Sequence, residues 1–345
     1  MNLKSIPKTF PVGKLPPAYL ARLLAKTPLL DNRILVGPGI GLDCAVVDLG
    51  SHLLVFKSDP ITFATDEIGW YAVQVNVNDI ATTGATPRWF LMTLLLPEHH
   101  TTLDLIDTIS NQVFTACQEI GVSVIGGHTE ITHGLDRSIL IGTVIGEVNH
   151  QDLITPEGAR PGDSLLITKG VPVEATAILA REFPTELLES LTADEIAQAQ
   201  NFLYRPGISI LKEAYLATRT GKISAMHDPT EGGLASALWE LAEACQHTIV
   251  FKPDLVPVPE LAGRVCQNFE IDPFGAIASG ALLVCTPPSE ASNICRIVEG
   301  EGITCTEIGR LEEGPAQVWS ESGKDRRLFP RPERDEIARV YAAHS

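Results

Sequence analysis

Residues 67–96 read EIGWYAVQVNVNDIATTGATPRWFLMTLLL. The spacing of apolar residues predicts a helix over residues 67–84, which Gly84 closes. Residues 88–96 then have the composition of a β-strand. Asp79 lies in the apolar part of the predicted helix, where a buried carboxylate without a partner is costly. The stretch therefore predicts a helix followed by a strand, and Asp79 is the acid hardest to explain by structure alone.

Helices and strands are predicted to alternate along both halves of the chain. The predicted helices are residues 16–30, 102–120, 173–182, 185–200, 207–218, 232–245 and 333–343, and the predicted strands are residues 44–49, 53–56, 122–125, 138–148, 164–168, 281–285 and 303–308. The strand at 122–125 is expected to be short and buried. This alternation predicts an α/β or α+β architecture.

Chain length and one polar stretch predict two domains. The 345 residues suit two domains at roughly 150 residues each. Residues 149–163 (NHQDLITPEGARPGD) are polar and contain Pro, Gly and charge, which is typical of a boundary. We therefore predict one domain over residues 1–150, a second over 151–318 and a charged C-terminal tail over 319–345.

The charge of the chain argues against a nucleic-acid partner. Lys plus Arg number 26 and Asp plus Glu number 43, which gives a net charge of −17. Such a chain repels phosphate backbones at long range. It would bind a polyanion such as ATP only with a metal ion or backbone N–H groups at the site.

We expect neither a membrane protein nor a protein stabilised by disulfide bonds. The most apolar stretch, residues 90–96, is far too short to span a bilayer, and residues 1–10 lack the features of a signal peptide. The seven cysteines form no C-x-x-C pair and their number is odd, which disfavours a disulfide framework or a zinc ribbon. We interpret them as reduced thiols of a cytoplasmic protein, mostly in the core.

Four acids are candidate ligands for Mg²⁺, which prefers hard oxygen donors. Asp43 comes just before a predicted strand, Asp59 closely follows one, and Asp79 lies on an apolar helix. Glu130 follows the glycines at 126 and 127. The alternative is that each acid caps a helix or closes a turn.

Three glycine-containing motifs are candidate phosphate sites. Gly39 and Gly41 belong to the run Gly37–Gly41, where backbone N–H groups could approach a phosphate, although a flexible turn is the alternative. No Gly-Lys-Ser/Thr follows, so this run is not a Walker loop. Residues 126–130 (GGHTE) suit phosphate or metal contact, or else a turn with a structural His128. Residues 227–233 (HDPTEGG) suit a helix capped by Asp228 or Thr230, or an anion site at the helix N-terminus.

Taken in their order along the chain, these motifs resemble those of the AIR synthase-related (PurM-like) superfamily. They are most similar to the motifs of its HypE-like members. The resemblance covers about residues 30–312. The segments that carry it are Gly41–Val46, Lys57–Thr62, Val77–Ala85, Gly126–Glu130, Thr168–Gly170 and His227–Gly233. The resemblance implies an N-terminal α/β domain that forms a homodimer through its sheet, a C-terminal α/β domain packed against it, and ATP with Mg²⁺ in a cleft near the dimer interface.

The resemblance also implies roles for individual residues. Asp43, Asp59 and Asp79 would hold Mg²⁺, with Glu130 nearby. The nucleotide would contact a further set of residues: Gly39, Gly41, Asn78, Gly126, Gly127, His128, Thr129 and Asp228. The candidates for a catalytic group are Lys57, Asp59 and His128. Family members use ATP to phosphorylate a carbonyl oxygen or a similar acceptor, a task of positioning and charge neutralisation.

The motifs leave open which acceptor would receive the phosphoryl group. HypE proteins end in a tail whose terminal Cys carries the group to be dehydrated, whereas this sequence ends Tyr341–Ser345, so we expect no such reaction on its own tail. The leading hypothesis is an ATP-dependent enzyme that acts on a small molecule. The alternatives are a HypE-like maturation factor that acts on a partner protein, and a non-catalytic nucleotide-binding protein.

Overall fold

Strand pairing groups the described chain into two sheets. The computed structural model describes residues 10, 13, 15–61 and 66–344, so the expectation for residues 1–9 and the motif residue Thr62 lie outside the described residues. The first sheet contains β1 (Ile34–Val36), β2 (Ala45–Asp48), β3 (Leu53–Ile61), β4 (Thr86–Pro97), β5 (Ser123–Thr132) and β6 (Ile139–Val148). Its order is β1-β2-β3-β6-β4-β5, and only β4 and β5 run parallel.

The second sheet is formed entirely by strands that follow residue 163. It contains β7 (Ser164–Thr168), β8 (Ala225–His227), β9 (Thr248–Phe251), β10 (Leu283–Thr286), β11 (Cys305–Glu312), β12 (Gln317–Ser322) and β13 (Asp325–Leu328). Its order is β13-β12-β9-β11-β7-β10-β8, with β12 and β9 parallel and the other pairs antiparallel.

Helices separate and cover these strands. They are α1 (Pro17–Leu24), α2 (Ile68–Thr82), α3 (Leu103–Glu119), α4 (Val173–Glu182), α5 (Pro184–Leu187), α6 (Ala193–Gln200), α7 (Leu211–Thr220), α8 (Gly233–Cys245), α9 (Glu260–Asn268), α10 (Pro288–Gly300) and α11 (Glu336–Ala343). This confirms the predicted mixed α/β architecture with two sheets. Within the described ranges, no helix is both long and apolar enough to cross a membrane.

Helix α2 is the central element, because it is buried on nearly every side. Val73, Val77 and Ile80 share a core with the inner face of the first sheet. On its other side, Asn78 donates to the carbonyl of Ile208 at 2.8 Å and accepts from the N–H of Ile210 at 2.9 Å. Because α2 is buried on both sides, its polar residues need partners inside the protein, and the helix carries Asp79 into the interior.

Two strands differ from prediction in a way that matters for the site. The strand predicted over 53–56 continues to Ile61, so Lys57 and Asp59 lie on β3 and Asp59 does not follow the strand. Pro60 is tolerated there because β2 pairs with β3 only as far as Phe56. The short buried strand predicted at 122–125 is wrong, since β5 runs from Ser123 to Thr132 at the exposed edge of the sheet.

Three helices also differ from prediction. Helix α1 ends at Leu24 rather than residue 30, because Pro28 disfavours helical backbone before it. The helix predicted over 185–200 is two helices, and α6 restarts where the hydroxyl of Thr192 accepts from the N–H of Glu195. Helix α7 begins at Leu211 rather than residue 207, since Asn78 binds the preceding backbone.

The C-terminal residues are packed onto the second half of the chain. β13 pairs with β12 from Asp325 to Leu328, and Ile337 and Val340 of α11 are buried in the core. Asp335 caps α11 by accepting from the N–H of Ile337 at 2.9 Å.

Candidate functional site

A buried histidine joins the two halves of the chain. His227 ends β8, Asp43 precedes β2 and Glu240 lies on α8. The Nδ1 of His227 is 2.9 Å from Asp43 Oδ2, and its Nε2 is 3.1 Å from Glu240 Oε2. Burial alone lowers the pKa of His227, but the two carboxylates together raise it well above its ordinary value. The protonated imidazole is therefore favoured, and one ring nitrogen faces each carboxylate.

A half-buried lysine lies between two further acids. Lys57 Nζ is 3.0 Å from Asp59 Oδ2 and 3.2 Å from Asp79 Oδ2. Burial lowers the pKa of Lys57, but the carboxylates of Asp79 and Asp59 more than offset this and raise it. Burial also raises the pKa of Asp79, which Lys57 opposes. Strand β3 thus presents Lys57 and Asp59 on one face, opposite the acid of helix α2.

Asn76 fixes the backbone at Asp59. Its Oδ1 accepts from the N–H of Asp59 at 2.8 Å, while its Nδ2 donates to the carbonyl of Asp59 at 3.3 Å and to that of Ala72 at 2.8 Å. The sequence reasoning missed this residue. Its signal was a second Asn in the apolar stretch Val75–Asp79, where a buried amide needs partners.

Asp228 is the residue whose surroundings point most directly to a ligand. It is buried, and neither of its carboxylate oxygens has a hydrogen-bond partner among the described residues. Burial, followed by the charge of Asp43, raises the pKa of Asp228 to about 6. A buried carboxylate left in this state is costly unless a cation or proton joins it.

We call Asp43, Asp59, Asp79, Asp228 and Glu240, together with Lys57 and His227, the acidic cluster. Five carboxylates face two cationic groups there. In the part of the chain that the structure describes, Asp43, His227 and Asp228 form the one group of three whose potential ligand atoms lie within 4.8 Å of one another. His227 is already engaged on both nitrogens, so the oxygens of Asp43 and Asp228 are the better donors. A hard divalent cation fits this oxygen-rich set.

The N-terminus of α8 is not an open anion site. Its N-cap is Gly232, in the left-handed region at φ 82°, and no side chain of the preceding motif caps the helix. The N–H of Gly232 instead donates to Asp335 Oδ2 at 2.5 Å, and the N–H of Ala235 donates to the carbonyl of Phe274 at 2.9 Å. A carboxylate from the C-terminal segment thus occupies the position proposed for a phosphate or for a cap by Asp228 or Thr230.

Gly41 holds the Gly37–Gly41 run against α8. Its φ is 72°, and a Cβ at this position would come within 2.7 Å of the carbonyl oxygen of Glu240. Close approach to protein backbone accounts for this glycine. Gly39 forms an isolated bridge with Leu42 in the same turn.

The motif Gly126–Glu130 lies apart from the acidic cluster. It is part of the exposed edge strand β5, where His128 Nε2 is 3.3 Å from Glu130 Oε2. Asp59, Gly142, Met92 and Gly127 form one transverse row across four strands. Three strand spacings separate Asp59 from Gly127, which is about 14 Å. Within one chain, the structure therefore does not bring Glu130 to the other predicted metal ligands.

The predicted site residues thus fall into four groups, one of which is Gly39 and Gly41 in the turn against α8. Asp43, Asp59, Asp79 and Asp228 meet in the acidic cluster with Lys57. Gly126, Gly127, His128, Thr129 and Glu130 lie on β5. Asn78 is buried with its amide engaged by the backbone of Ile208 and Ile210, which is a positioning role.

This buried acidic site between two α/β halves defines the class to which the chain belongs. Residues 41–148 match the N-terminal domain of the AIR synthase related protein family, and residues 160–319 match its C-terminal domain. The chain is a member of this family.

Individual relatives span most of the chain. A Methanocaldococcus jannaschii protein named for hydrogenase expression/formation is 28% identical over 92% of this chain and 95% of its own length. The carbamoyl dehydratase HypE of Cupriavidus necator is 28% identical over 74% of this chain and 70% of its own. The thiamine-monophosphate kinase of Pyrococcus horikoshii is also 28% identical, over 78% of this chain and 84% of its own.

A solved structure shares the fold at similar coverage. The hydrogenase maturation protein HypE in complex with ATP superposes with a TM-score of 0.68 and is 25% identical, over 91% of this chain and 90% of that one.

Proposed function

We propose that the protein is an enzyme that binds ATP with Mg²⁺ and activates a carbonyl, amide or other small acceptor by phosphoryl transfer. One observation carries this proposal, the group of carboxylates around the buried Asp228, whose two oxygens have no hydrogen-bond partner among the described residues. ATP is proposed because a relative that shares the fold over nine-tenths of the chain is seen with ATP bound.

Asp43, Asp79 and Asp228 would hold the metal ion, with Asp59 beside them. A bound Mg²⁺ supplies positive charge that offsets the phosphates and polarises a phosphoryl oxygen. The positive charge of the ion would also offset the repulsion between the nucleotide and a chain of net charge −17.

The residues of the cluster suit positioning rather than strong base catalysis. Both nitrogens of His227 already face carboxylates, so it is not available to remove a proton. Lys57 is held by Asp59 and Asp79 and would offer its ammonium group to a phosphate oxygen. Phosphoryl transfer depends mainly on such positioning and charge neutralisation.

We also propose that two copies form a homodimer through β5. This strand is at the edge of the sheet, and Val124, Ile125 and Ile131 are 36%, 54% and 55% exposed. A long, apolar, unpaired edge is normally covered. In this arrangement, residues 1–150 would form the nucleotide-binding domain and 151–318 the second domain. Residues 319–345 would complete the second domain, since β12 and β13 extend its sheet and α11 packs against it. With ATP as substrate, the enzyme would act in the cytoplasm.

The leading proposal and its alternative differ in the acceptor, which is a small molecule in the first and is carried by a partner protein in the second. Similarity to a carbamoyl dehydratase and to a protein named for hydrogenase formation favours a protein-borne acceptor, as in a maturation factor. Similarity to thiamine-monophosphate kinase favours a small molecule. ADP release should therefore be measured with thiamine monophosphate and with a carbamoyl-bearing peptide. Mg²⁺-dependent ATP binding with no ADP release above background for either probe would favour a non-catalytic nucleotide-binding protein.

Calorimetry of ATP binding with and without Mg²⁺ tests the site itself. We expect Asp228→Asn to weaken Mg²⁺-dependent ATP binding by about 100-fold, because the amide keeps the shape but loses the charge. Asp107→Asn, on an exposed position of α3, is the matched control and should bind as the wild type does. Equal affinity of Asp228→Asn and wild type would remove Asp228 from the metal site.

A further inference from the structure

Two cysteines meet outside the acidic cluster. Cys295 lies on α10 and Cys305 begins β11, and their sulfur atoms are 3.0 Å apart although ten residues separate them. Cys295 is half-buried and Cys305 is buried. The sulfur separation is only about 1 Å longer than a disulfide bond, so a small local movement would join them.

The two thiols are chemically unequal. The hydrogen bond from Cys305 lowers the pKa of Cys295 despite its partial burial. The same hydrogen bond, with burial, raises the pKa of Cys305. The thiolate is the nucleophilic form of cysteine, so Cys295 is both the more accessible and the more reactive of the pair.

The other five cysteines lack this arrangement. Burial raises the pKa of each of them, and each is buried in the core: Cys44, Cys117, Cys245, Cys266 and Cys285. An inert core thiol is the expected behaviour at these positions.

We propose that Cys295 and Cys305 form a reversible disulfide by exchange with a low-molecular-weight disulfide such as oxidised glutathione. The Cys295 thiolate attacks one sulfur of the small disulfide, which breaks its S–S bond and releases one small thiolate that takes up a proton. The Cys305 thiol then loses its proton and attacks the Cys295 sulfur of the mixed disulfide, which releases the second small thiol. Two protein thiols are oxidised and one small disulfide is reduced to two thiols.

The bond would fasten α10 to the start of β11. Cys305 pairs with Thr168 of β7, and the carbonyl of the neighbouring Thr304 accepts from the N–H of Lys169 at 2.8 Å. A reversible disulfide of this kind agrees with a reducing compartment, where such bonds are transient. A single reversible disulfide is also distinct from a framework of permanent disulfides, which the odd number of cysteines disfavours. The proposal does not depend on the proposed ATP-dependent activity.

Mass spectrometry of the full-length folded protein tests the proposal. The protein is treated with oxidised glutathione, then denatured and alkylated with N-ethylmaleimide. We expect alkylation at five of the seven cysteines and a cross-linked peptide that joins residues 295 and 305. We also expect the thermal midpoint to rise by roughly 5 °C and to return on reduction. Alkylation of all seven, a lasting glutathione adduct on Cys295, or a link to another cysteine or a second chain would overturn it.

Two variants separate the roles of the thiols. Cys305→Ala should retain one glutathione on Cys295, because the resolving thiol is gone. Cys295→Ser should acquire neither adduct nor cross-link and should alkylate at all six remaining cysteines. A folded Cys305→Ala protein that takes up no glutathione would contradict the assignment of Cys295 as the nucleophile.

Discussion

The acidic cluster and the edge strand β5 carry similar residues in opposite surroundings. Both combine acids with a basic group near glycines, in sequences that look equally suited to phosphate or metal. In the cluster, Asp79, Asp228 and His227 are buried and burial or neighbouring charges shift their pKa values. On β5, the side chains of His128 and Glu130 are 65% and 54% exposed. The same residue types are therefore removed from solvent in one region and largely hydrated in the other.

The largest effect on stability is expected from replacing a glycine, Gly127, on the exposed strand β5. Gly127 has a φ of 145°, and a Cβ there would overlap the carbonyl oxygen of Met92. We expect Gly127→Ala to lower the free energy of unfolding by on the order of 4 kcal/mol in chemical denaturation. Gly121→Ala is the control, because its φ of 72° is also left-handed but nothing lies within 4 Å. Equal losses in the two variants would show that backbone strain alone is responsible.

Glu174, a buried acid outside the acidic cluster, tests whether burial alone is enough to shift the pKa of a carboxyl group. Glu174 accepts from the N–H of Ser279 at 3.2 Å, and burial raises the pKa of Glu174 to about 7. The folded state therefore binds the proton more tightly than the unfolded state. The stability that Glu174 contributes is greatest below its unfolded pKa of about 4.5 and falls as pH rises toward 7.

Glu174→Gln should remove this fall. We expect the variant to exceed wild type by up to about 3 kcal/mol in free energy of unfolding at pH 8, and to match it near pH 4. Urea unfolding at several pH values measures the difference. Glu189→Gln, at an exposed position, should follow the wild-type curve throughout. A Glu174→Gln curve parallel to wild type would mean that the carboxyl is effectively solvated.

The C-terminal contact to α8 should have an intermediate effect. Asp335→Ala leaves the N–H of Gly232 without its acceptor and removes the cap of α11. We expect a loss of about 2 kcal/mol in free energy of unfolding, together with weaker Mg²⁺-dependent ATP binding, because Gly232 follows Asp228 closely in the same loop. Glu333→Ala, nearby and exposed, is the control. Unchanged ATP affinity in a destabilised Asp335→Ala would limit Asp335 to a structural role.

The smallest change in stability is expected on the exposed face of β5. His128→Ala should alter the free energy of unfolding by less than about 0.5 kcal/mol, because the side chain is largely in solvent. If His128 contacts phosphate as predicted, Mg²⁺-dependent ATP affinity should still fall about tenfold. Affinity equal to wild type in the same calorimetric assay would leave the acidic cluster as the whole nucleotide site.

Local sequence patterns predicted much of the fold. Helix α4 lies at residues 173–182 as predicted, and α2 and α3 lie within about two residues of their predicted bounds. These elements depend on apolar spacing within one segment, which the sequence displays directly. The pattern failed at β5, because an apolar edge strand and a buried strand have the same composition.

The candidate site required the tertiary structure. Sequence by itself determined the α/β class and the family, and it offered Asp43, Asp59 and Asp79 as candidate ligands. Only the fold decided that Lys57 lies between Asp59 and Asp79 and that His227 lies between Asp43 and Glu240. It also decided that Asp335 occupies the N-terminus of α8. The contacts of His227 with Asp43 and of Asp335 with Gly232 join residues more than a hundred positions apart, and no local pattern in a single sequence records which distant side chains will share one buried space.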